Sequence, residues 1–446
     1  MPPRSDQHAT FDPISIRNLL ARVAISTLAV KVGSVGLAFA LNILLARLLG
    51  SQNYGDYVLA LSWVSIMVIV GALGMEGTAL RFVAGYVGKE AWGLLRGFAR
   101  RGAQWVMAAS FLIAILFGVG VFLYKGVLRP NLVNVFIVGL ALIPISAMLA
   151  FVAACLQGLN SRFVTLAQSV QLFRVFVFGL FIIVLLAINY RQLDSVVIMG
   201  LNLMAAILVL TVFTVIFYRK LPRQIKGVHY VYENRRWLVV ALPFLALSGF
   251  QFIITQIDAL MIGIFMGSEN AGFYTAASRI AVLITFGIAS VNAVVAPMIA
   301  QYYSQQKFHE LQRIVSIAAK GIFLFALTAA IILFAFGKLI LGLFGSGFNV
   351  AYLSLVILLI GQLIDSLAGS VGYLMTMTGH QREVMYVMGG CAVLNILLNM
   401  VMIPAFGLQG AAIVTTTTIA LWNIILVKRV RVNLGINSAA FKFSGS

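Results

Sequence analysis

Gly50-Ser51-Gln52-Asn53-Tyr54-Gly55-Asp56-Tyr57-Val58-Leu59-Ala60 returns 217 positions later as Gly267-Ser268-Glu269-Asn270-Ala271-Gly272-Phe273-Tyr274-Thr275-Ala276-Ala277, with identity at six of the eleven positions. At average composition, unrelated residues coincide at roughly one position in fifteen. The stretch therefore reads as one of two copies in a duplicated chain, and each copy lies between long apolar runs. Arg81-Phe-Val-Ala84-Gly-Tyr86 continues the duplication opposite Pro297-Met-Ile-Ala300-Gln-Tyr302, at an offset of 216. Gly158-Leu-Asn-Ser-Arg162 and Gly379-His-Gln-Arg382 form a weaker third pair.

The chain has 446 residues, of which 62% are hydrophobic, and its mean hydropathy is +1.03. That is more apolar surface than a soluble core can hide, so the sequence predicts an integral membrane protein. Runs of about twenty apolar residues suffice to cross a bilayer as a helix. They are read at 23–48, 54–78, 104–124, 132–157, 164–188, 195–218, 238–265, 272–299, 315–344, 351–378, 384–404 and 409–427. The expected fold is all-α, with twelve transmembrane helices in two pseudo-symmetric six-helix lobes. Its divisions are an amino-terminal tail (1–22), a first lobe (23–218), a basic linker (219–237), a second lobe (238–427) and a carboxy-terminal tail (428–446).

A net charge of +19 could suggest nucleic acid, but the cations alternate between loops. Arg4, Arg17 and Arg22 precede the first span; Lys89, Arg96, Arg100 and Arg101 follow the second; Arg219, Lys220, Arg223, Lys226, Arg235 and Arg236 follow the sixth. Only Lys125, Arg129, Arg191 and Lys338 lie near loops of the other side. By the positive-inside rule both termini and the linker are cytoplasmic, and the Gly50 and Gly267 copies face outward. The linker's cations are expected to anchor topology and attract anionic head groups. Cys155 and Cys391 fall within spans and read as small core residues. The polar opening segment predicts no cleaved signal.

An ionisable group at bilayer depth costs about 2.5–3.5 kcal/mol on insertion scales, so it is expected to face protein or a water-filled cavity. The set here is Lys31, Glu76, Arg81, Arg174, Asp258, Arg279 and Asp365, with Arg47 at the outer end of the first span. Polar stripes at helical spacing accompany them: Thr27, Lys31 and Ser34; Ser62, Ser65 and Glu76; Ser248, Gln251, Thr255 and Asp258; Gln362, Asp365, Gly369, Gly372 and Thr376. Such stripes serve equally as packing seams or as cavity walls. Asp258 and Arg279 are placed almost symmetrically about the Gly267 turn, so they are expected either to pair with each other or to serve substrate and gating. Pro243, near the start of the seventh span, is the leading hinge candidate.

His8, His229, His309 and His380 lie far apart, so neither a metal set nor a nucleophile–base arrangement can be assembled. No Gly-rich phosphate loop with Lys-Ser/Thr is present. The expected protein is a transporter and not an enzyme, without a cofactor, driven by a gradient, the membrane potential or the substrate itself.

Ala46-Arg47-Leu48-Leu49-Gly50, Tyr54-Gly55-x-Tyr57, Leu73-Gly74 and Ala79-Leu80-Arg81-Phe82-Val83-Ala84 resemble the amino-terminal signature of bacterial polysaccharide (O-antigen, Wzx-type) flippases. Met266-Gly267 through Gly272-Phe-Tyr274, Ala277-x-Arg279-Ile280, Ala296-Pro297 and Thr378-Gly379-x-Gln381-Arg382 look like second-half counterparts. The resemblance covers nearly the whole chain and extends to the multidrug/oligosaccharidyl-lipid/polysaccharide (MOP) exporter superfamily. It implies two lobes facing a cavity that opens alternately to each side of the bacterial cytoplasmic membrane. The implied substrate is a polyprenyl-pyrophosphate-linked oligosaccharide, with membrane lipids and a polysaccharide polymerase machinery as further partners and no nucleic acid. Under this resemblance Lys31, Arg47, Arg174 and Arg279 are the substrate-binding candidates, and Glu76, Asp258 and Asp365 the ion-coupling candidates. A multidrug or cation antiporter on the same fold is the alternative, although the intramembrane charge leans basic. A glycosyl polymerase or ligase would need a larger outer loop.

Overall fold

A computed structural model describes residues 13–159, 164–188, 193–225 and 227–440, and no strand occurs among them. Helices α1 (Pro13–Gly71), α2 (Met75–Gly88), α3 (Trp92–Leu123), α4 (Pro130–Leu159), α5 (Val164–Ala187) and α6 (Ser195–Lys220) build the first lobe. The second contains α7 (Asn234–Met266), α8 (Ser268–Val282), α9 (Thr285–Ser304), α10 (Phe308–Phe344), α11 (Tyr352–Ala368), α12 (Val371–Met377) and α13 (Gln381–Leu434). Nine helices among the described residues are long and apolar enough to cross a membrane. Two of them, α1 and α13, each hold two spans joined at a glycine, while α8 with α9 and α11 with α12 are single spans interrupted midway. Twelve crossing segments result, six to a lobe. On α3, Phe111, Leu112, Ile115, Leu116 and Val119 are exposed. Such a band would aggregate in water but is satisfied by hydrocarbon.

The repeated segment differs in form from its reading as a loop. Helix stops and restarts at one residue in each copy: Gly50 has φ 72°, ψ 171° and Gly267 has φ 87°, ψ 166°. That region of backbone space is essentially confined to glycine. Two glycines 217 positions apart in the same rare state extend the duplication from letters to geometry. Gly407 breaks the last helix similarly (φ 59°, ψ −135°), and Gly369 (φ 72°) separates α11 from α12. This second break divides the polar stripe expected to run from Gln362 to Thr376 along one helix.

Immediately after the two breaks the copies pack against each other. A Cβ added to Gly55 would lie 2.1 Å from the carbonyl oxygen of Ser268, and one added to Gly272 would lie 3.0 Å from the Cα of Gly55. Polar groups stitch this seam between the lobes. Ser268 Oγ donates to Asp56 Oδ1 at 2.6 Å, and Arg129 Nη2, from the turn before α4, donates to the same carboxylate at 2.6 Å and also to Ser268. Ser51 donates to Glu269, Gln52 Nε2 reaches Ser268 Oγ at 3.2 Å, and Arg47 Nε donates to the Leu343 carbonyl near the end of α10 at 2.6 Å. The Gly50 end of the molecule is therefore closed.

At the opposite, basic end, α7 begins on the first lobe. Trp237 is fully buried against Phe98 and Trp105, its Nε1 donates to Tyr86 Oη at 2.8 Å, and Tyr86 in turn donates to Glu233 at 3.1 Å. Gly74 allows the Ala241 carbonyl to approach within 2.2 Å of where a Cβ would stand. Beyond Pro243 the same helix joins the opposite lobe's packing through Phe252 and Ile254, so the proline lies where α7 passes from one lobe to the other.

Replacing Gly55 with Val is expected to destabilise the closed seam by roughly 1–3 kcal/mol, the usual cost of overpacking. In a background with Cys155 and Cys391 changed to Ala, a Ser51→Cys/Glu269→Cys pair should be bridged by a short bismaleimide, and Gly55→Val should lower the yield. An unchanged yield would show that the seam does not depend on this approach.

Candidate functional site

Four adjoining cavities run between and into the lobes. The first, of about 390 Å³, is lined by Glu76, Ser146, Gln157, Gln171, Arg174 and Ser248. It shares Ser146, Gln171 and Arg174 with a second, of about 400 Å³, whose other polar walls are Asn42, Tyr57, Ser65, Asn202 and Arg279. Arg279 also lines a third, of about 500 Å³, with Thr255, Gln256, Asp258, Thr275 and Ser278. Through Thr255, Asp258 and Ser278 this one adjoins a fourth, of about 370 Å³, that reaches Gln362, Asp365, Thr415 and Asn423. The series passes from α2 and α5 in one lobe to α11 and α13 in the other.

Arg174 and Arg279 come from different lobes, on α5 and α8, and line the same cavity. Arg174 Nη2 donates to Asn202 Oδ1 at 3.1 Å, and Asn202 Nδ2 donates to Tyr57 Oη at 2.9 Å, so a neutral amide orients the guanidinium. The Nε of Arg279 is buried with no hydrogen-bond partner. Neither forms an ion pair among the described residues, whose pairs are Arg129–Asp56, Arg236–Glu233 and Arg429–Glu383. Uncompensated cations withdrawn from water carry a desolvation cost that an incoming anion offsets. The centre of the series thus carries two cations from opposite lobes with no ion pair among the described residues.

Asp258 does not pair with Arg279. It accepts hydrogen bonds from Tyr274 Oη at 2.8 Å, from Asn399 Nδ2 at 2.8 Å and from Thr415. The pairing that symmetry about the Gly267 turn offered as one of two alternatives fails because these three neutral donors, drawn from α8 and from both halves of α13, enclose the carboxylate. Asn399 also donates to Asn395 Oδ1 at 2.9 Å, while its own side-chain Oδ1 is buried without a donor. Asp365 accepts from Asn423 Nδ2 at 2.8 Å, and the Asn423 side-chain Oδ1 is likewise unpartnered. Oxygen-rich clusters with spare lone pairs are suited to a proton or a hard monovalent cation.

The remaining sequence candidates separate. Glu76 lines the first cavity. Arg47 lies in the closed seam, bonded to Leu343 and absent from the walls of all four cavities. Arg81 is exposed on α2. Lys31 belongs to α1, but its side chain lies outside the described residues. Sequence reasoning missed Asn202, Asn399 and Thr415, which are uncharged and disappear into apolar helices, and read Tyr57 and Tyr274 only as the repeated tyrosine of the duplication. Asn395 and Asn399, four apart in a span, were the available signal, since two amides on one face within hydrocarbon need partners.

The geometry can be set beside known proteins. The family model described as "Polysaccharide biosynthesis protein" matches residues 20–303, and the MatE model matches 243–401. A probable low-salt glycan biosynthesis flippase, Agl15 of Haloferax volcanii, is 25% identical over 170 residues, which is 38% of this chain and 36% of that protein. The match thus spans about a third of the relative's length. An inward-facing multidrug resistance MATE family transporter of the MOP superfamily superposes with a TM-score of 0.69 at 14% identity, covering 92% of this chain and 98% of that one. The lipid II flippase MurJ in an inward closed conformation gives 0.68 at 14% identity, covering 91% and 87%. With two lobes, a duplicated glycine-broken hairpin and a family match across 20–303, the chain belongs to the polysaccharide biosynthesis protein family and has the all-α membrane fold of the MOP superfamily.

Proposed function

We propose that the protein flips a polyprenyl-pyrophosphate-linked oligosaccharide across the bacterial cytoplasmic membrane, for assembly of a surface polysaccharide such as O-antigen. The observation that carries this reading is the pair Arg174 and Arg279, contributed by opposite lobes to one polar cavity without a carboxylate partner. A sugar pyrophosphate cannot enter hydrocarbon unaided, because its hydrogen bonds to water would be lost without replacement. Two guanidinium groups supply charge-assisted bonds to the pyrophosphate oxygens. The asparagines, glutamines and serines of the adjoining walls supply neutral bonds to sugar hydroxyls, while the polyprenyl tail stays in the bilayer. Agl15, named as a probable glycan biosynthesis flippase, supports the glycan class of cargo.

In this reading, alternating access works through the seam. In the closed arrangement Ser51, Gln52, Asp56, Arg129, Ser268 and Glu269 tie the lobes at the Gly50 end, which the charge pattern assigns to the outside. Release outward requires those bonds to part while the basic ends approach. Asp258, enclosed by donors from α8 and α13 beside the Arg279 cavity, is the coupling carboxylate in this account. Protonation or cation binding there alters packing next to the substrate cation. Both termini lie in the cytoplasm, and a polymerase acting on the delivered glycan is the natural downstream partner.

Arg174→Ala and Arg279→Ala should each weaken pyrophosphate binding by about 1.5–3 kcal/mol, the range of a charge-assisted hydrogen bond. The readout is accumulation of lipid-linked oligosaccharide in the cytoplasmic leaflet with loss of surface polysaccharide, while membrane insertion is retained. Normal surface polysaccharide in both variants would remove the cavity-cation assignment. Asp258→Asn keeps the side chain's shape but removes its charge. Transport in vesicles should then lose its response to an imposed proton or sodium gradient, and an undiminished response would exclude Asp258 as the coupling group.

A further inference from the structure

A further cavity, of about 700 Å³, lies outside the central series, at the basic end of the first lobe. Helices α3 and α6 both pack on α4 but make little contact with each other, which leaves a groove floored by Met148, Phe151 and Val152 of α4. Ala99 and Ala103 form a low wall on α3, and Thr214 and Phe217 face them from α6. Arg96 and Arg100 stand at the groove's polar end. Their guanidinium carbons lie 4.3 and 4.9 Å from the ring centroid of Tyr230, which stacks on Tyr232. Arg96 also donates to the Val228 carbonyl at 2.7 Å, using one of five N–H groups. Among the described residues no acidic side chain lines the groove, and neither arginine forms an ion pair.

The duplication provides an internal comparison. In the second lobe, the segment after the last span fills the corresponding space. Asn437 exchanges two hydrogen bonds with Gln312 on α10, Ala440 N donates to Leu367 O at 3.0 Å, and Ile436, Ser438, Ala439 and Ala440 are buried. In the first lobe, the segment after the sixth span is held by Arg96 at Val228 and sets Leu221, Pro222 and Ile225 along one wall, and a cavity of about 700 Å³ remains between it and α4. Where one lobe buries its own apolar side chains, the other presents an apolar floor ending in two arginines.

We propose that this groove binds an anionic phospholipid of the cytoplasmic leaflet, with its phosphate on Arg96 and Arg100 and an acyl chain along Met148, Phe151 and Val152. Charge and depth agree: the cations lie at the end that the positive-inside rule places at the inner interface, beside stacked tyrosines of an interfacial belt. The lipid would brace the linker that joins the lobes through Arg96, held to Val228, and Arg100, both of which lie over the Tyr230 ring. The site is separate from the transport cavity and does not depend on the identity of the cargo.

The test uses the full-length protein in detergent, titrated with dioleoylphosphatidylglycerol or dioleoylphosphatidylcholine and read by native mass spectrometry. The expected result is saturable binding of the glycerol lipid and weaker binding of the choline lipid. Arg100→Gln, which breaks no hydrogen bond, and Ala103→Trp, which fills the apolar wall without altering charge, should each reduce affinity for phosphatidylglycerol by about fivefold. Free glycerol 3-phosphate in excess should compete poorly, which distinguishes a lipid from a soluble phosphate. Equal binding of the two lipids, full competition by glycerol 3-phosphate, or unchanged affinity in both variants would overturn the proposal. If Ala103→Trp fails to fold, Thr214→Leu narrows the facing wall for the same measurement.

Discussion

Around Gly55 the two copies of the repeat approach so closely that one added carbon would meet the Ser268 carbonyl at 2.1 Å. This contact requires glycine twice over, once for space at positions 55 and 272 and once for backbone freedom at 50 and 267. From it follows the crossing of the two central hairpins and the closure of one end of the molecule. Asp56 is 1% exposed and Arg129 45% exposed, so the carboxylate at the seam is dry while its partner still reaches solvent. A partly wetted pair is a reasonable latch: strong enough to order the seam, and less costly to part than a wholly buried one.

Beneath the seam the symmetry ends, and chemistry begins where it ends. The residue opposite Asp258 at the repeat offset is Leu41, and the one opposite Arg279 is Ser62. One lobe contributes Arg174 with its Asn202 and Tyr57 support; the other contributes Arg279 together with an acidic cluster held by amides and hydroxyls. Separating the buried carboxylates from the buried guanidinium groups leaves the latter available to an anion. Had Asp258 and Arg279 paired, the cavity would be electrically quiet at its centre.

Most of the fold was legible in the letters because hydrocarbon imposes simple demands: long apolar helices, alternate basic loops and no exposed backbone polar groups. Two aspects were not. The repeated segment looked like a loop because Gly, Ser and Asn are turn residues, yet only Gly50 and Gly267 leave the helix, and Ser51 and Ser268 begin the next one. Arg129 looked like a stray outer-loop cation, and its link to Asp56 and Ser268 required three segments distant in sequence. The charged members of the site stood out singly, but which of them meet was set by tertiary packing. Arg174 and Arg279 share a cavity, whereas Arg47, equally conspicuous in the sequence, serves the seam. Neutral partners such as Asn202 and Thr415 gave little signal, because an isolated amide or hydroxyl in a helix is as often a packing residue.

Whether the two-lobed cavity moves a lipid-linked glycan from one leaflet to the other can be measured in proteoliposomes holding purified protein and a fluorescent polyprenyl-pyrophosphate oligosaccharide, with a membrane-impermeant glycosidase added outside. The protein should open the inner-leaflet pool to the enzyme over time, and Arg174→Ala/Arg279→Ala protein should leave that pool protected. An inner pool that stays protected with folded wild-type protein under an imposed gradient would contradict glycan movement through this cavity.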